Sequence, residues 1–500
     1  MKQSPFHYGC RVALAAAMLL ATVVPAANAA PWATAGDRQL RDDIELLQAY
    51  GVISGPVSSW PLPWAQIAAG LDGVDPGAVP PHARAALERI RIHLGLAEAR
   101  TRYVIEASAT NGAALVRDFA DTAREDGDVA AHVEHEFGGT TIGYGVGWRS
   151  GQRGDDVHFE DAYLAHALGN WALYAGFVET WWGPGQESGL LFSNSSRPFP
   201  KIGFKRLSPD AFTWPVLNWL GPWRFEAFVG QLNENRTDYD NPLVAAMRLS
   251  FQPARQVEIG FSRMMQLCGE GRPCGLKIWR DALLPVGTRD NTGTLDEPGN
   301  QIAGVDLRIA GRLGPVATSL YGEVIGEDGD GIGIEQLSYT VGGTASGGLR
   351  DGSTWKAGVE YTDTYAFYLV EKPATDNNNR AEGSTYNNFI YSAGYTYRGR
   401  PIGFSLDGDS RLFSLTGSWT DPGNRRFYSA VRRASINVTN TARYRISRNA
   451  ERLWIGEAGV QWPTEWGDVR VEARWQTDAP DTPGRSPAKA QLEIGWRTQF

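Results

Sequence analysis

The sequence predicts an all-β transmembrane barrel of about 18 antiparallel strands with a small N-terminal helical bundle. Segments of about ten residues alternate apolar and polar side chains, which is the length of a tilted membrane-spanning strand. Tryptophan and tyrosine often lie near the segment ends, where barrels carry interfacial girdles. Glycine and aromatic residues are frequent (58 Gly, 18 Trp, 18 Tyr and 19 Phe), yet only 42% of the 500 residues are hydrophobic. Strands with a single apolar face explain this combination.

The composition also excludes three other classes of protein. The aromatic content excludes a disordered chain, because disordered segments contain few aromatic residues. After the first 30 residues no stretch of about 18 residues is uniformly apolar, which excludes a bundle of transmembrane helices. The formal net charge of −8 argues against nucleic acid as a partner, because nucleic-acid binding requires a clustered basic surface.

The first 29 residues have the pattern of a secretory signal peptide. A basic start with Lys2 and Arg11 precedes the apolar run Val12–Val24. The sequence Ala27-Asn28-Ala29 then supplies the small residues of a cleavage site. We therefore expect export from the cytoplasm and cleavage after residue 29.

Two cysteines remain in the predicted mature chain, Cys268 and Cys274. In an oxidising compartment this close spacing predicts a local loop disulfide. A zinc site is not supported, because two thiols without a nearby histidine supply at most half of the ligands. His132 and His135 lie on a predicted strand, where residues three apart point to opposite faces and share no metal. We predict neither a metal nor another cofactor.

Residues 30–100 are predicted to form the helical bundle. Asp37 is a candidate N-cap for a segment with Leu40, Ile44 and Leu47 at helical spacing. Helices of this size bury little core alone, so we expect the bundle to dock on the larger part of the chain. Its position directly after the signal peptide predicts a periplasmic location. There it plugs the barrel, or binds periplasmic partners or peptidoglycan.

Residues 101–500 are predicted to form the barrel. In the last segment, Ala490–Phe500, apolar side chains such as Leu492 and Ile494 alternate with polar ones. A soluble β-sandwich with its charged face in water is the alternative. The segment lengths favour the bacterial outer membrane, with lipid against the apolar faces. A final strand that ends in Phe500 resembles the terminal signal of bacterial outer-membrane barrels, and it predicts the barrel-assembly machinery as a partner.

One segment is unusually dense in aromatic and turn residues. Trp181-Trp182-Gly183-Pro184-Gly185 forms a rigid aromatic corner, and Ser193-Asn194-Ser195-Ser196-Arg197-Pro198 follows it. Together with the order of signal peptide, helical bundle and barrel, these motifs resemble the Wzi-type capsule-assembly family of outer-membrane proteins. The resemblance implies a large barrel with a periplasmic helical bundle. It also implies a surface lectin that helps to retain capsular polysaccharide on the cell.

A sugar partner is chemically plausible for these residues and for a second tryptophan cluster. Aromatic rings stack on the C–H faces of sugar rings, and amide or guanidinium groups bind hydroxyls and carboxylates. The tryptophans also suit an interfacial girdle or packing in the lumen, and the first segment also suits a structural loop folded into the lumen. The candidate polysaccharide-binding residues are Trp181, Trp182, Asn194, Arg197, Trp214 and Trp219.

The sequence favours a non-enzymatic outer-membrane lectin that binds or anchors surface polysaccharide, capsular or otherwise, and assists capsule assembly. A porin or solute channel is the alternative, because charged side chains occupy the second face of the strands. An outer-membrane hydrolase has less support, since the chain contains no Gly-x-Ser-x-Gly elbow, Walker loop or dinucleotide fingerprint. Conductance in a planar bilayer separates the first two, because a lectin with a plugged barrel is silent.

Overall fold

The computed structural model describes residues 30–151, 154–283, 298–328, 334–369, 379–482 and 488–500. The predicted signal peptide, residues 1–29, lies outside the described residues. Within the described ranges, no helix is long and apolar enough to cross a membrane.

Residues 30–100 form three short helices, which we call the head. The Asp37 side chain accepts a hydrogen bond from the backbone nitrogen of Leu40 at 2.9 Å, so it caps the first helix as predicted. Pro81 occupies the first turn of the third helix, where its missing N–H costs nothing. The helices are α1 (Arg38–Ala49), α2 (Trp64–Leu71) and α3 (Pro81–Ala97). Their shared core includes Ile44, Leu47, Ile67, Leu87 and Ile90.

Strands between residues 101 and 500 form the wall of the barrel. Strand β4 has two pieces, and both count as one strand because each pairs with β3. The strands are β1 (Thr101–Thr110), β2 (Gly127–Phe137), β3 (Thr140–Ser150), β4 (Asp156–His158 and Tyr163–Leu168), β5 (Trp171–Phe177), β6 (Pro200–Arg206), β7 (Trp223–Gln231), β8 (Leu243–Ala254), β9 (Val257–Leu267), β10 (Gly299–Leu313), β11 (Val316–Asp328), β12 (Ile334–Gly348), β13 (Thr354–Tyr368), β14 (Arg411–Thr420), β15 (Arg426–Ile436), β16 (Glu451–Thr464), β17 (Gly467–Gln476) and β18 (Ala490–Gln499).

The barrel closes between its first and last strands. Strand β18 pairs antiparallel with β1, from Glu493 opposite Thr110 to Gln499 opposite Val104. In the described part of the chain the closed circuit has 18 strands, and each is antiparallel to its neighbours. The predicted antiparallel barrel is therefore confirmed.

The two ends of the barrel differ in the length of their connections. Two-residue connections such as Gly138-Gly139 and Gly314-Pro315 lie at one end, which we call the short-turn end. Residues 207–222 between β6 and β7 are a longer connection at this same end. Extended loops, including residues 178–199 and 379–410, lie at the opposite, long-loop end.

Side chains alternate between the two faces of the wall. The outward face exposes large apolar side chains, among them Val129, Tyr144, Trp148, Leu415 and Val431. The inward face buries charged side chains, among them Arg248, Glu258, Asp306, Glu323, Glu360 and Arg432. An apolar exterior around a charged interior is the arrangement of a membrane-spanning barrel. The alternation of apolar and polar residues in the sequence therefore corresponds to the outer and inner faces of the barrel wall.

Candidate functional site

The head lies inside the short-turn end of the barrel and is held there by ion pairs. Lys356 on β13 donates to Asp42 at 2.6 Å and to Glu45 at 2.8 Å, and Arg426 on β15 contacts Asp42 at 2.6 Å. Burial acts to raise the pKa of Asp42, but the charges of Lys356 and Arg426 outweigh it and lower that pKa. The pKa of Glu45 is lowered in the same way, against its burial, by Lys356 and other cations. For Asp43, burial dominates and raises the pKa.

The connection between α1 and α2 is tied to the wall through its backbone. The carboxylate of Glu258 accepts hydrogen bonds from the backbone nitrogens of Val57 at 3.1 Å and Ser58 at 3.0 Å. Arg224 donates to the carbonyl oxygens of Ser59 at 2.8 Å and Pro61 at 3.1 Å. Buried polar backbone groups need such partners wherever no helix or strand supplies them. Wall side chains therefore act as caps for an irregular segment of the head.

Residues 178–199, which connect β5 and β6, fold from the long-loop end into the lumen, and we call them the inner loop. Trp181 pairs with Trp60 of the head in a short antiparallel ladder. Its ring packs edge-on against Phe119, with ring centroids 5.2 Å apart. The inner loop and the head therefore meet inside the barrel, each having entered from a different end.

The Gly-Pro-Gly corner of the inner loop fits closely between the head and the wall. Gly183 has a φ of +110°, and a Cβ there would lie 2.6 Å from a carboxylate oxygen of Glu323. Arg41 of α1 donates to the carbonyl oxygens of Pro184 at 3.0 Å and Gly185 at 2.9 Å. The positive φ therefore favours glycine at position 183, and a larger residue would also displace the Glu323 carboxylate.

Three of the predicted polysaccharide-binding residues belong to the inner loop and are buried. Trp181 and Trp182 have no exposed surface, and Trp182 lies edge-on to Phe192 with ring centroids 4.7 Å apart. Asn194 is also buried and donates to the carbonyl oxygen of Phe119 at 2.8 Å. Protein already occupies these ring faces and this amide, so a sugar does not reach them in this structure. The contacts support the alternative of a structural loop folded into the lumen.

Arg197 is the inner-loop candidate that remains accessible to solvent. It lies at the long-loop end, and 13% of its side chain is exposed. Its guanidinium contacts Glu125 at 2.7 Å and Glu160 at 3.8 Å. Burial and the neighbouring charge of Arg149 lower the pKa of Arg197. Because its near contacts are already carboxylates, a ligand carboxylate would have to compete with them.

Trp214 and Trp219 lie at the opposite end of the barrel from Arg197. Both are in the connection between β6 and β7, and they are 59% and 62% exposed. Trp223, which follows them, stacks on Phe212 with ring centroids 4.4 Å apart. The structure therefore does not bring the six predicted site residues together, because the barrel wall separates the two tryptophan clusters.

A further candidate surface lies at the long-loop end, and the sequence analysis did not identify it. Residues 379–410 and 437–450 pack together there, and we call them the platform. Arg445 joins its two parts by donating to the carbonyl oxygen of Ser392 at 2.9 Å. The platform also rests on the inner loop, since the hydroxyl of Tyr386 donates to the carbonyl oxygen of Leu190 at 2.6 Å. The sequence signals were four tyrosines between positions 386 and 397 and three arginines between 443 and 448.

A polar cavity of about 260 Å³ lies between the head and the wall near β1 to β4. Acidic and basic side chains line it, including Glu106, Asp128, Arg149 and Arg497. His132 faces this cavity, whereas His135 bonds Thr101 across the strands at 2.8 Å. In the described part of the chain, no cluster of histidine, cysteine and acidic residues is arranged to hold a metal.

Cys268 and Cys274 form a disulfide, with Cα atoms 4.9 Å apart. It closes a small loop directly after β9 at the long-loop end. The next element is helix α4 (Leu276–Leu283), which packs through Ala282 against the outward side chain of Met265 and its neighbours. The disulfide therefore lies between the helix on the outside of the wall and the platform, whose Tyr391 hydroxyl donates to the carbonyl oxygen of Cys268 at 2.9 Å.

Comparison with known proteins places the chain in a family. The family model described as capsule assembly protein Wzi matches residues 97–486. The chain belongs to the Wzi family. It is 28% identical over 475 residues to an uncharacterised 55.8 kDa protein in the cps region of Klebsiella pneumoniae. The aligned region covers 92% of this chain and 88% of that protein.

The Wzi fold is also found among solved structures. Wzi of Escherichia coli, described as an outer membrane protein involved in group 1 capsule assembly and a carbohydrate-binding β-barrel, has a TM-score of 0.79 to this chain. The identity is 24%, and the match covers 93% of this chain and 99% of that one. The family resemblance and the outer-membrane location predicted from the sequence are confirmed.

Proposed function

We propose that the protein binds surface polysaccharide at its long-loop end and anchors it to the cell during capsule assembly, without catalysing a reaction. In this proposal the long-loop end faces outward and the head faces the periplasm. The basis is that bacterial outer-membrane barrels have short periplasmic turns and longer external loops. The observation that carries the proposal is the platform, an ordered set of loops over a filled lumen.

The exposed side chains of the platform suit an acidic sugar polymer. Arg443 and Arg448 are exposed, and among the described residues neither forms an ion pair with a carboxylate. Phe389 is also exposed and offers an aromatic face for a sugar ring. Guanidinium groups bind carboxylates through two parallel hydrogen bonds, which favours a polymer that contains uronic acids or other acidic substituents.

A porin or solute channel is less well supported. The head occupies the lumen from one end, and the inner loop and the platform occupy it from the other. Buried ion pairs fix these parts, such as the pair between Arg432 on β15 and Glu187 of the inner loop. A steady ionic current through the wild-type barrel in a planar bilayer would favour the channel instead.

The binding test uses the purified full-length protein and acidic capsular polysaccharide from the bacterium that encodes it. The variant Arg443→Ala/Arg448→Ala is expected to bind at least about tenfold more weakly, because two charge-assisted contacts are lost. Arg425→Ala is the matched control, since Arg425 has a 62% exposed side chain at the short-turn end. Polymer with chemically reduced carboxyl groups should bind the wild-type protein and the double variant equally weakly. Equal binding by the variant and the control would contradict the proposal.

A cellular test addresses anchoring. Deletion of the gene should release polymer into the medium without stopping its synthesis, and unchanged surface polymer would contradict anchoring. Contributions of the six residues predicted from the sequence stay predictions, and binding at the platform does not depend on them: Trp181, Trp182, Asn194, Arg197, Trp214 and Trp219. Recognition of β18 and Phe500 by the barrel-assembly machinery also stays a prediction.

A further inference from the structure

Three arginines form a patch on the outside of the wall at the long-loop end. Arg411 is the first residue of β14, Arg433 lies close to the end of β15, and Arg452 is the second residue of β16. Arg411 and Arg452 lie opposite Ser435 on its two sides, and Arg433 is two positions along the same strand. With strands about 4.8 Å apart, the three Cα atoms lie within about 10 Å of one another.

The alternation of the strands places these side chains on the lipid side. Arg433 shares a face with Val431 on β15, and Arg452 shares a face with Trp454 on β16; all four side chains are exposed. The guanidinium carbon of Arg433 lies 5.6 Å from the ring centroid of Trp454. Trp454 marks the aromatic belt, so the arginines lie where the apolar band meets the headgroup layer.

The patch carries more positive charge than its neighbours neutralise. Arg411 contacts Asp363 at 3.1 Å, and Arg380 shares the same carboxylate at 3.2 Å. Among the described residues, neither Arg433 nor Arg452 forms an ion pair with a carboxylate. Another outward-facing arginine, Arg263 on β9, does have a protein partner, because it donates to the carbonyl oxygen of Ala282 in α4.

We propose that this patch binds the phosphate groups of an anionic glycolipid in the outer leaflet. The inference rests on the outward orientation of the long-loop end in the proposed function. Guanidinium groups bind phosphate oxygens bidentately, and Ser435 leaves space between the three arginines. Exposed Phe413, Leu415 and Val431 continue the surface toward the membrane centre and contact the acyl chains. This apolar continuation favours a phosphorylated lipid over free phosphate.

The test measures lipid retained by the full-length protein in detergent, by native mass spectrometry. The probe is diphosphoryl lipid A, with monophosphoryl lipid A as the lipid control and inorganic phosphate as competitor. The variant Arg433→Ala/Arg452→Ala is expected to retain diphosphoryl lipid A about thirtyfold more weakly than wild type. Arg433→Lys/Arg452→Lys should restore part of this loss, and Arg425→Ala should match wild type. Heat-modifiable migration in gels shows that each variant is folded.

The outcomes separate this inference from polysaccharide binding. Weaker lipid retention with unchanged polysaccharide binding supports the lipid site. Equal lipid retention by the folded double variant and wild type overturns it, as does equal retention of the two lipids by wild type. Displacement by millimolar inorganic phosphate identifies a free-phosphate site and also overturns it. Loss of polysaccharide binding alone assigns the patch to the polymer.

Discussion

Replacement of Trp181 by alanine tests whether the inner loop is a structural contact or a sugar site. A tryptophan buries about 150–250 Å², which corresponds to about 4–6 kcal/mol at about 25 cal/mol per Å². Truncations of buried tryptophan cost about 3–5 kcal/mol. Because the ring of Trp181 packs between Phe119 and the head, this loss weakens docking of the head. The undocked population should rise at least about a hundredfold.

Limited trypsin digestion of the folded barrel in detergent measures this population, since cleavage follows the open fraction when opening is fast. Cleavage within residues 38–97 should accelerate strongly in Trp181→Ala. Trp219→Ala is the matched control, because Trp219 is exposed and its truncation should change stability by less than about 0.5 kcal/mol. Equal cleavage of the two folded variants would refute the reasoning. Weaker polysaccharide binding with a fully protected head would instead make Trp181 a sugar contact.

Four further predictions concern the head, the disulfide and the lumen. Lys356→Met removes the cation shared by Asp42 and Glu45, while Arg426 and Arg41 still pair with them. Loss of its charge-assisted hydrogen bonds should weaken head docking by about 1.5–3 kcal/mol, whereas Lys489→Met, at an exposed lysine, should leave trypsin cleavage unchanged. Because the pKa values of Asp42 and Glu45 are lowered in the folded protein, their ion pairs stabilise docking at pH values above the usual carboxyl pKa. This stabilisation is lost as the pH falls below about 4, and the raised pKa of Asp43 offsets part of the loss. Pepsin should therefore cleave the head faster toward pH 2, and a cleavage rate independent of pH would count against these ion pairs. Reduction of Cys268–Cys274 removes about 2 kcal/mol of local constraint, so it should expose residues 268–283 to protease without changing the migration of the folded barrel. Conductance should stay silent for the wild-type protein and show openings for Lys356→Met; steady wild-type current would contradict a filled lumen.

The strands were predictable because alternation is a local property. Each strand carries its own pattern, as in Ala490–Phe500, and needs no knowledge of its partner. The cap at Asp37 was predictable for the same reason. The inner loop was different, because Trp181 acquires its role from Trp60 and Phe119, which are distant in the sequence. A tryptophan before a Gly-Pro-Gly turn suits both a binding loop and a buried corner.

The placement of the tryptophan clusters required a correct count of strands. Successive connections alternate between the two ends of the barrel, so the end reached by residues 207–222 depends on the number of strands before them. That number depends on β4, whose two pieces look like separate short segments in the sequence. The platform was missed because its two parts have no periodic pattern and are ordered by each other. Such contacts between loops leave no signal in a single sequence.

The meeting of the inner loop with the head gives the barrel a continuous mechanical path from end to end. Ser193 donates its backbone N–H to the carbonyl oxygen of Ile402 in the platform at 3.0 Å, and Gly183 donates to that of Ser58 in the head at 3.0 Å. Under the proposed function, tension on a polymer held at the platform would be shared with the head, which is anchored in turn to Glu258 of the wall. The filled interior distributes this load over both ends of the barrel, where an open tube would leave it to the loops alone.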